Sequence, residues 1–140
     1  MPSKWLLKSE PGHYSLADLQ RDGQTVWDGV SNNLALKNLR MMRAGDLTLI
    51  YHTGKEKAIV GIAEVASDPY PDPKQKNPRL AVIDLKFREF LPRPVTLGEI
   101  RKQTPLRDFD LVRLPRLSVV PVSETQWKAL SRLAQTSRPS

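Results

Sequence analysis

The stretch Ala81-Val82-Ile83-Asp84-Leu85-Lys86-Phe87-Arg88 places Ala81, Ile83, Leu85 and Phe87 at one parity and Asp84, Lys86 and Arg88 at the other. Successive side chains of a strand point to opposite faces, so this period of two predicts a half-buried strand. We extend it over residues 79–90 and expect Pro92 and Pro94 to break it, because proline donates no ladder hydrogen bond.

Upstream, residues 46–52 and 58–67 also read as strands, joined by a hairpin-length link around Gly54. Residues 68–78 hold four prolines in eleven positions and predict a long loop. Residues 4–8 form an opening strand stopped by Pro11-Gly12. Ser15 is placed to cap a short helix ending at Asp22-Gly23, and residues 25–27 are extended. Asn32 is an N-cap for a helix over 33–43, whose apolar face is Ala35, Leu39 and Met42, with Gly45 as C-cap. Downstream, Thr96-Leu97-Gly98-Glu99 and Ser123-Glu124-Thr125-Gln126 are capping boxes. The first opens a short helix closed by Pro105. The second follows a strand over 117–122 and starts a helix that packs Trp127, Leu130 and Leu133 inward. Helices inserted among about five strands predict a mixed α+β domain around a small curved sheet or barrel.

A length of 140 residues suits one domain. We expect it to span residues 4–134, with a frayed tail at 135–140. Without cysteine a disulfide scaffold is excluded, and two histidines are a poor basis for a zinc or iron–sulfur centre. We therefore expect no metal and no cofactor. No apolar run approaches the roughly 18–20 residues of a membrane span, and the N-terminus is too short for a signal-peptide core. The expectation is a soluble, membrane-free, cytoplasmic monomer, associated with the nucleoid in a bacterium or nuclear in a eukaryote.

The net charge of +7 is unevenly placed: residues 1–70 carry eight basic and eight acidic side chains, residues 71–140 fourteen and seven. Such asymmetry favours a nucleic-acid partner, DNA or RNA. An ordinary solvated basic surface accounts for charge alone equally well. Catalytic motifs are absent: there is no G-x-S-x-G, H-E-x-x-H, P-loop or G-x-G-x-x-G, and the Ser9-Glu10-His13 cluster matches no catalytic spacing. Trp5, Tyr14, Trp27, Tyr51 and Tyr70 supply rings suited to base stacking or to the core. Trp27 stands out because Asp28-Gly29-Val30-Ser31-Asn32 follows it as a turn opening a helix, beside backbone N–H groups and an amide that read donor and acceptor edges.

Five ordered blocks resemble the EVE domain: residues 5–11 (WLLKSEP), 27–30 (WDGV), 45–52 (Gly45-Asp46 leading to Tyr51-His52), 70–72 (YPD) and 116–122 (Arg116-Leu117-Ser118-Val119 before Pro121-Val122). The resemblance implies a PUA-like fold, a small mixed β-barrel with flanking helices, akin to YTH domains. It further implies a non-catalytic reader of a modified nucleobase, foremost modified cytosine in DNA, with a modified base in RNA as the other candidate. The pocket it implies is lined by Lys8, Ser9, Glu10, Trp27, Asp28, Gly29, Val30, Asn32, Tyr51, His52, Thr53, Arg116, Leu117 and Ser118. The chain departs from the family's common pattern at Ser31, where Arg is frequent, and at Thr53, where Ser is frequent.

Candidate phosphate contacts are Lys37, Arg40, Lys74, Lys76 and Arg79, with Arg116 at the rim. Three alternatives stay open. The barrel could hold a nucleoside-like metabolite, the chain could modify nucleic acid through Ser9, Glu10 or His52, and Lys8-Ser9-Glu10 could be a buried ion pair and turn that hold the fold shut.

Overall fold

The computed structural model describes residues 3–135. Its elements are β1 (Lys4–Ser9), α1 (Leu16–Asp22), β2 (Gln24–Trp27), α2 (Asn33–Met41), β3 (Leu47–His52), β4 (Ala58–Val65), β5 (Tyr70–Pro71), β6 (Ala81–Thr96), α3 (Leu97–Arg101), α4 (Asp110–Arg113), β7 (Val119–Val122) and α5 (Glu124–Gln135), with a 3-10 turn at Thr104–Leu106. The sheet runs β2-β6-β4-β3-β1-β7, and β5 pairs with β6. All ladders are antiparallel except β1 with β3, where Leu6 lies beside Leu49 and Ser9 beside His52. Fold class is therefore mixed α+β, as the pattern predicts. The path is open, with β2 and β7 at its ends, and a closed barrel is not confirmed by it.

The alternation that predicts β6 holds in part: Ile83 and Leu85 are buried, Lys86 and Arg88 exposed, and Val82 is buried as well. Pro92 and Pro94 do not break the strand. Pairing with β4 passes from Gly61↔Phe90 to Ile59↔Val95, so residues 91–94 arch out of the ladder where no proline N–H is required. The expected loop at 68–78 contains β5, held by the Tyr70 hydroxyl, which donates to Asp84 Oδ1 at 2.6 Å. That bond to a carboxylate is the main reason the Tyr70 hydroxyl is pushed up to about 12.

Helix α2 stops at Met41, with Met42 as C-cap, rather than running to residue 43 with Gly45 as cap. The cause is Asp46. Its carboxylate accepts from Arg43 N–H, Ser3 N–H and Trp5 Nε1–H at 2.9–3.0 Å and draws the chain out of the helix, so β3 begins at Leu47. Both expected capping boxes form, and Ser15 with Asp18 makes a third. At α5, Leu130 and Ala134 are buried while Trp127 and Leu133 are half-buried. The expected tail begins one residue late, because Gln135 still ends α5; residues 136–140 lie outside the described residues.

The core is one cluster around the sheet, with Leu6 and Leu7 of β1, Leu36 and Leu39 of α2, Ile83 and Leu85 of β6, and Phe109 before α4 all fully buried. Among the described residues no helix is long and apolar enough to cross a membrane.

Candidate functional site

The C-terminal end of β1 and the last residues of β2 face each other across a half-open cavity of about 520 Å³. Lys8, Ser9 and Glu10 form one wall. Thr25, Val26 and Trp27, with the turn Asp28-Gly29-Val30, form the other, and Tyr14, Lys74 and Ser118 complete the lining.

The walls are held by local chemistry. Gly29 has φ +79°, a left-handed conformation that costs glycine little and lets the chain turn sharply after Trp27. The half-buried Trp27 ring meets Tyr14 edge-on, centroids 6.4 Å apart at 76°. Tyr14 is fixed in turn by donating to Asp22 Oδ2 at 2.9 Å. Burial first, and that hydrogen bond second, push its hydroxyl pKa up. The Lys8 ammonium donates to the carbonyl of Pro115 at 2.6 Å, and burial lowers its pKa.

Lys8, Ser9, Glu10, Trp27, Asp28, Gly29, Val30 and Ser118 thus meet at one cavity. The other implied pocket residues stand elsewhere. Asn32 caps α2 by accepting from Ala35 N–H at 3.0 Å and, with Arg116 and Leu117, lines a separate apolar hollow. Tyr51 and Thr53 line a third cavity behind Lys8. His52 is buried: Nε2 accepts from Leu16 N–H at 3.1 Å, so Nδ1 carries the proton, directed to Glu56 Oε1 at 2.8 Å.

Of the expected phosphate contacts, Lys74 lines the main cavity, and Lys37 and Lys76 are exposed. Arg79 instead donates to Ser31 O at 2.9 Å and Asn33 Oδ1 at 2.7 Å, and Arg40 donates to Arg79 O. Trp5 and Tyr51 belong to the core rather than to a stacking surface. Sequence reasoning named Tyr14 only as a candidate stacking ring, outside the implied pocket, and missed Thr25 and Val26 as lining residues. The signal available was Tyr14 at the turn after β1, opposite the Trp27 block.

The side chains that an enzyme reading would use each make internal hydrogen bonds. Ser9 Oγ donates to the carbonyl of Tyr14, Glu10 accepts from Gly12 N–H, and both His52 nitrogens are occupied. Lys8 and Glu10 form no ion pair among the described residues, so that pair is not what shuts the fold.

An α+β domain with an aromatic-walled cleft and a basic surface is a binding module in outline. Residues 3–133 match the EVE domain family, and the chain belongs to it. Thymocyte nuclear protein 1 of Rattus norvegicus is 30% identical, the match covering 94% of this chain and 73% of that protein. A crystal structure from Agrobacterium tumefaciens superposes with a TM-score of 0.92 at 31% identity, covering 98% of this chain and 96% of that one. Human THYN1 in complex with 5-methylcytosine-containing DNA superposes at 0.89 with 29% identity, covering 97% and 99%. Architecture is thus that of a PUA-like EVE fold.

Proposed function

We propose that this chain binds DNA and takes a modified base, foremost a modified cytosine, into the cavity between β1 and the Trp27 turn, leaving it chemically unchanged. The observation that carries this reading is the cavity itself, with Trp27 on one wall, a partly desolvated lysine on the other, and the Ser9 hydroxyl already donating to the Tyr14 carbonyl. Its size lies within the roughly 300–1,000 Å³ range of small-ligand sites. The human relative solved with 5-methylcytosine DNA supports DNA over RNA as the polymer.

Extruding a base costs a few kcal/mol of stacking and pairing. Stacking on Trp27 returns about 1–3 kcal/mol, hydrogen bonds from the Asp28–Val30 backbone and from Ser118 read the base edge, and Lys74 with Lys37 and Lys76 holds phosphates.

The test is a tryptophan-fluorescence titration with matched duplexes carrying plain or 5-methylated cytosine, at two salt concentrations, with single-stranded DNA, RNA and free nucleoside alongside. Salt-sensitive binding that prefers the methylated duplex is expected. Trp27→Ala should reduce that preference by about 5–150-fold while far-UV circular dichroism stays unchanged. Equal binding of both duplexes, or a preference that survives Trp27→Ala, overturns the reading. Salt-independent binding of the free nucleoside replaces it with the metabolite alternative, and recovery of a chemically altered oligonucleotide replaces it with an enzyme.

A further inference from the structure

Behind Lys8, on the side away from the main cavity, lies a second hollow of about 280 Å³ between the β3–β4 turn, α3 and the segment 111–115. Three cations line it, Lys8, Lys57 and Arg101, together with Tyr51, Thr53 and Gly54, and no carboxylate does. We propose that this hollow is an oxyanion site that receives a phosphate group, with Lys8 as the wall it shares with the base cavity.

Like charges gathered in one small space repel each other, and a cluster left without counter-charge fits an anionic occupant. Three carboxylates lie within two residues of these cations, Glu10, Glu56 and Glu99, and each is bonded to another group. Glu56 is engaged with His52 Nδ1, Glu99 with Arg93, and Glu10, which comes near Gly54 without lining the hollow, with Gly12 N–H.

The backbone is also bent to make the hollow. Lys57 has φ +45°, a left-handed conformation that is unfavourable for a residue with a β-carbon. Its carbonyl accepts from Leu97 N–H at 2.8 Å, which locks that conformation onto the start of α3. The β3–β4 register shifts between Ile50 and Tyr51, with Val60 of β4 as the extra residue, and the Lys8 ammonium sits 5.9 Å from the Tyr51 ring centre. With one proton given to Pro115 O, Lys8 keeps two for an oxyanion.

The occupant's source rests on the DNA reading if it is a backbone phosphodiester, and is independent of it if it is a free phosphate compound. The experiment has two arms. In the first, amide chemical shifts of the ¹⁵N-labelled protein are followed against inorganic phosphate, with sodium chloride at matched ionic strength as control. Saturable shifts around Thr53, Gly54 and Lys57 are expected, weakened about tenfold in Arg101→Gln and in Lys57→Gln. Shifts that do not saturate, or that chloride reproduces, overturn the proposal.

In the second arm the same variants bind methylated and plain duplexes. For a DNA phosphate in the hollow, both affinities fall by the same factor, and the slope of log K against log salt drops by about 0.9. An unchanged slope, with phosphate binding still lost, keeps the site and assigns it to a free phosphate compound. Failure of methylated-base preference in the parent protein touches the base-reading proposal and leaves the first arm standing.

Discussion

Gly61 of β4 is the position at which one added methyl group should do most harm. A β-carbon there would lie 2.1 Å from Leu16 Cδ2, 2.5 Å from Glu89 O and 3.3 Å from Phe90 Cα. Neither side can yield cheaply. Leu16 is buried at the start of α1, tied down by its N–H bond to His52, and Glu89 is backbone within the β4–β6 ladder. Overpacking of a dense core costs about 1–3 kcal/mol, and a backbone clash puts Gly61→Ala at the upper end or beyond. With an unfolding entropy of about 2.1 cal/mol/K per residue, 3 kcal/mol lowers the melting temperature of a domain this size by about 10 °C. Differential scanning calorimetry measures this directly. Because Leu16 follows Ser15 and Tyr14, relief of the clash by moving α1 should also disturb the Tyr14–Trp27 contact and alter tryptophan emission. A melting temperature within about 2 °C of the parent, with unchanged emission, refutes the reasoning.

Asp46→Ala removes the acceptor of three N–H groups around Trp5 and the end of α2 and should cost about 3 kcal/mol or more by urea denaturation, well above an average core substitution. Glu99 is held down to about 2, against an ordinary 4.5, first by its bond to Arg93 and then by the Thr96 backbone. Its folded value is depressed, so its stabilising contribution is present above about pH 4.5 and lost as pH falls towards 2. Screening by water at this partly exposed pair reduces the gap to about 1–2 kcal/mol, and Glu99→Gln should flatten the stability profile across that window by the same amount. His52→Ala frees the Leu16 N–H and should destabilise the start of α1 by about 1–3 kcal/mol, read as faster amide exchange at residues 16–19.

The parts of the fold legible in the sequence were those governed by neighbours in the chain. Alternation at 83–87, the caps Ser15, Asn32, Thr96 and Ser123, and the hairpin around Gly54 all rest on contacts within a few residues. What escaped depends on distant partners. Pro92 and Pro94 read as breakers because local rules count their missing donors, and only the course of β4 reveals that those donors are not needed. The end of α2 was misplaced because Asp46 gathers N–H groups from three separate points of the chain. The turn after Trp27 was legible as one wall of a cavity because its residues are contiguous. Tyr51 lies in the same strand as His52 and Thr53 just after it, yet both line a cavity on the other side of Lys8. One-dimensional spacing does not express which side of a side chain a cavity lies on.

The placement of β1 has a temporal consequence. Its neighbours are β3 in parallel and β7 in antiparallel, so Leu6 faces residues 49 and 120 at once. A ribosome therefore releases the first strand more than a hundred residues before its second neighbour exists, and contacts of such long sequence separation slow folding. Ser118, just ahead of that late strand, is also a wall of the main cavity. Until it arrives the nascent chain carries the Lys8–Glu10 wall and the Trp27 turn without Ser118, so the lining of the cavity is completed only near the end of synthesis.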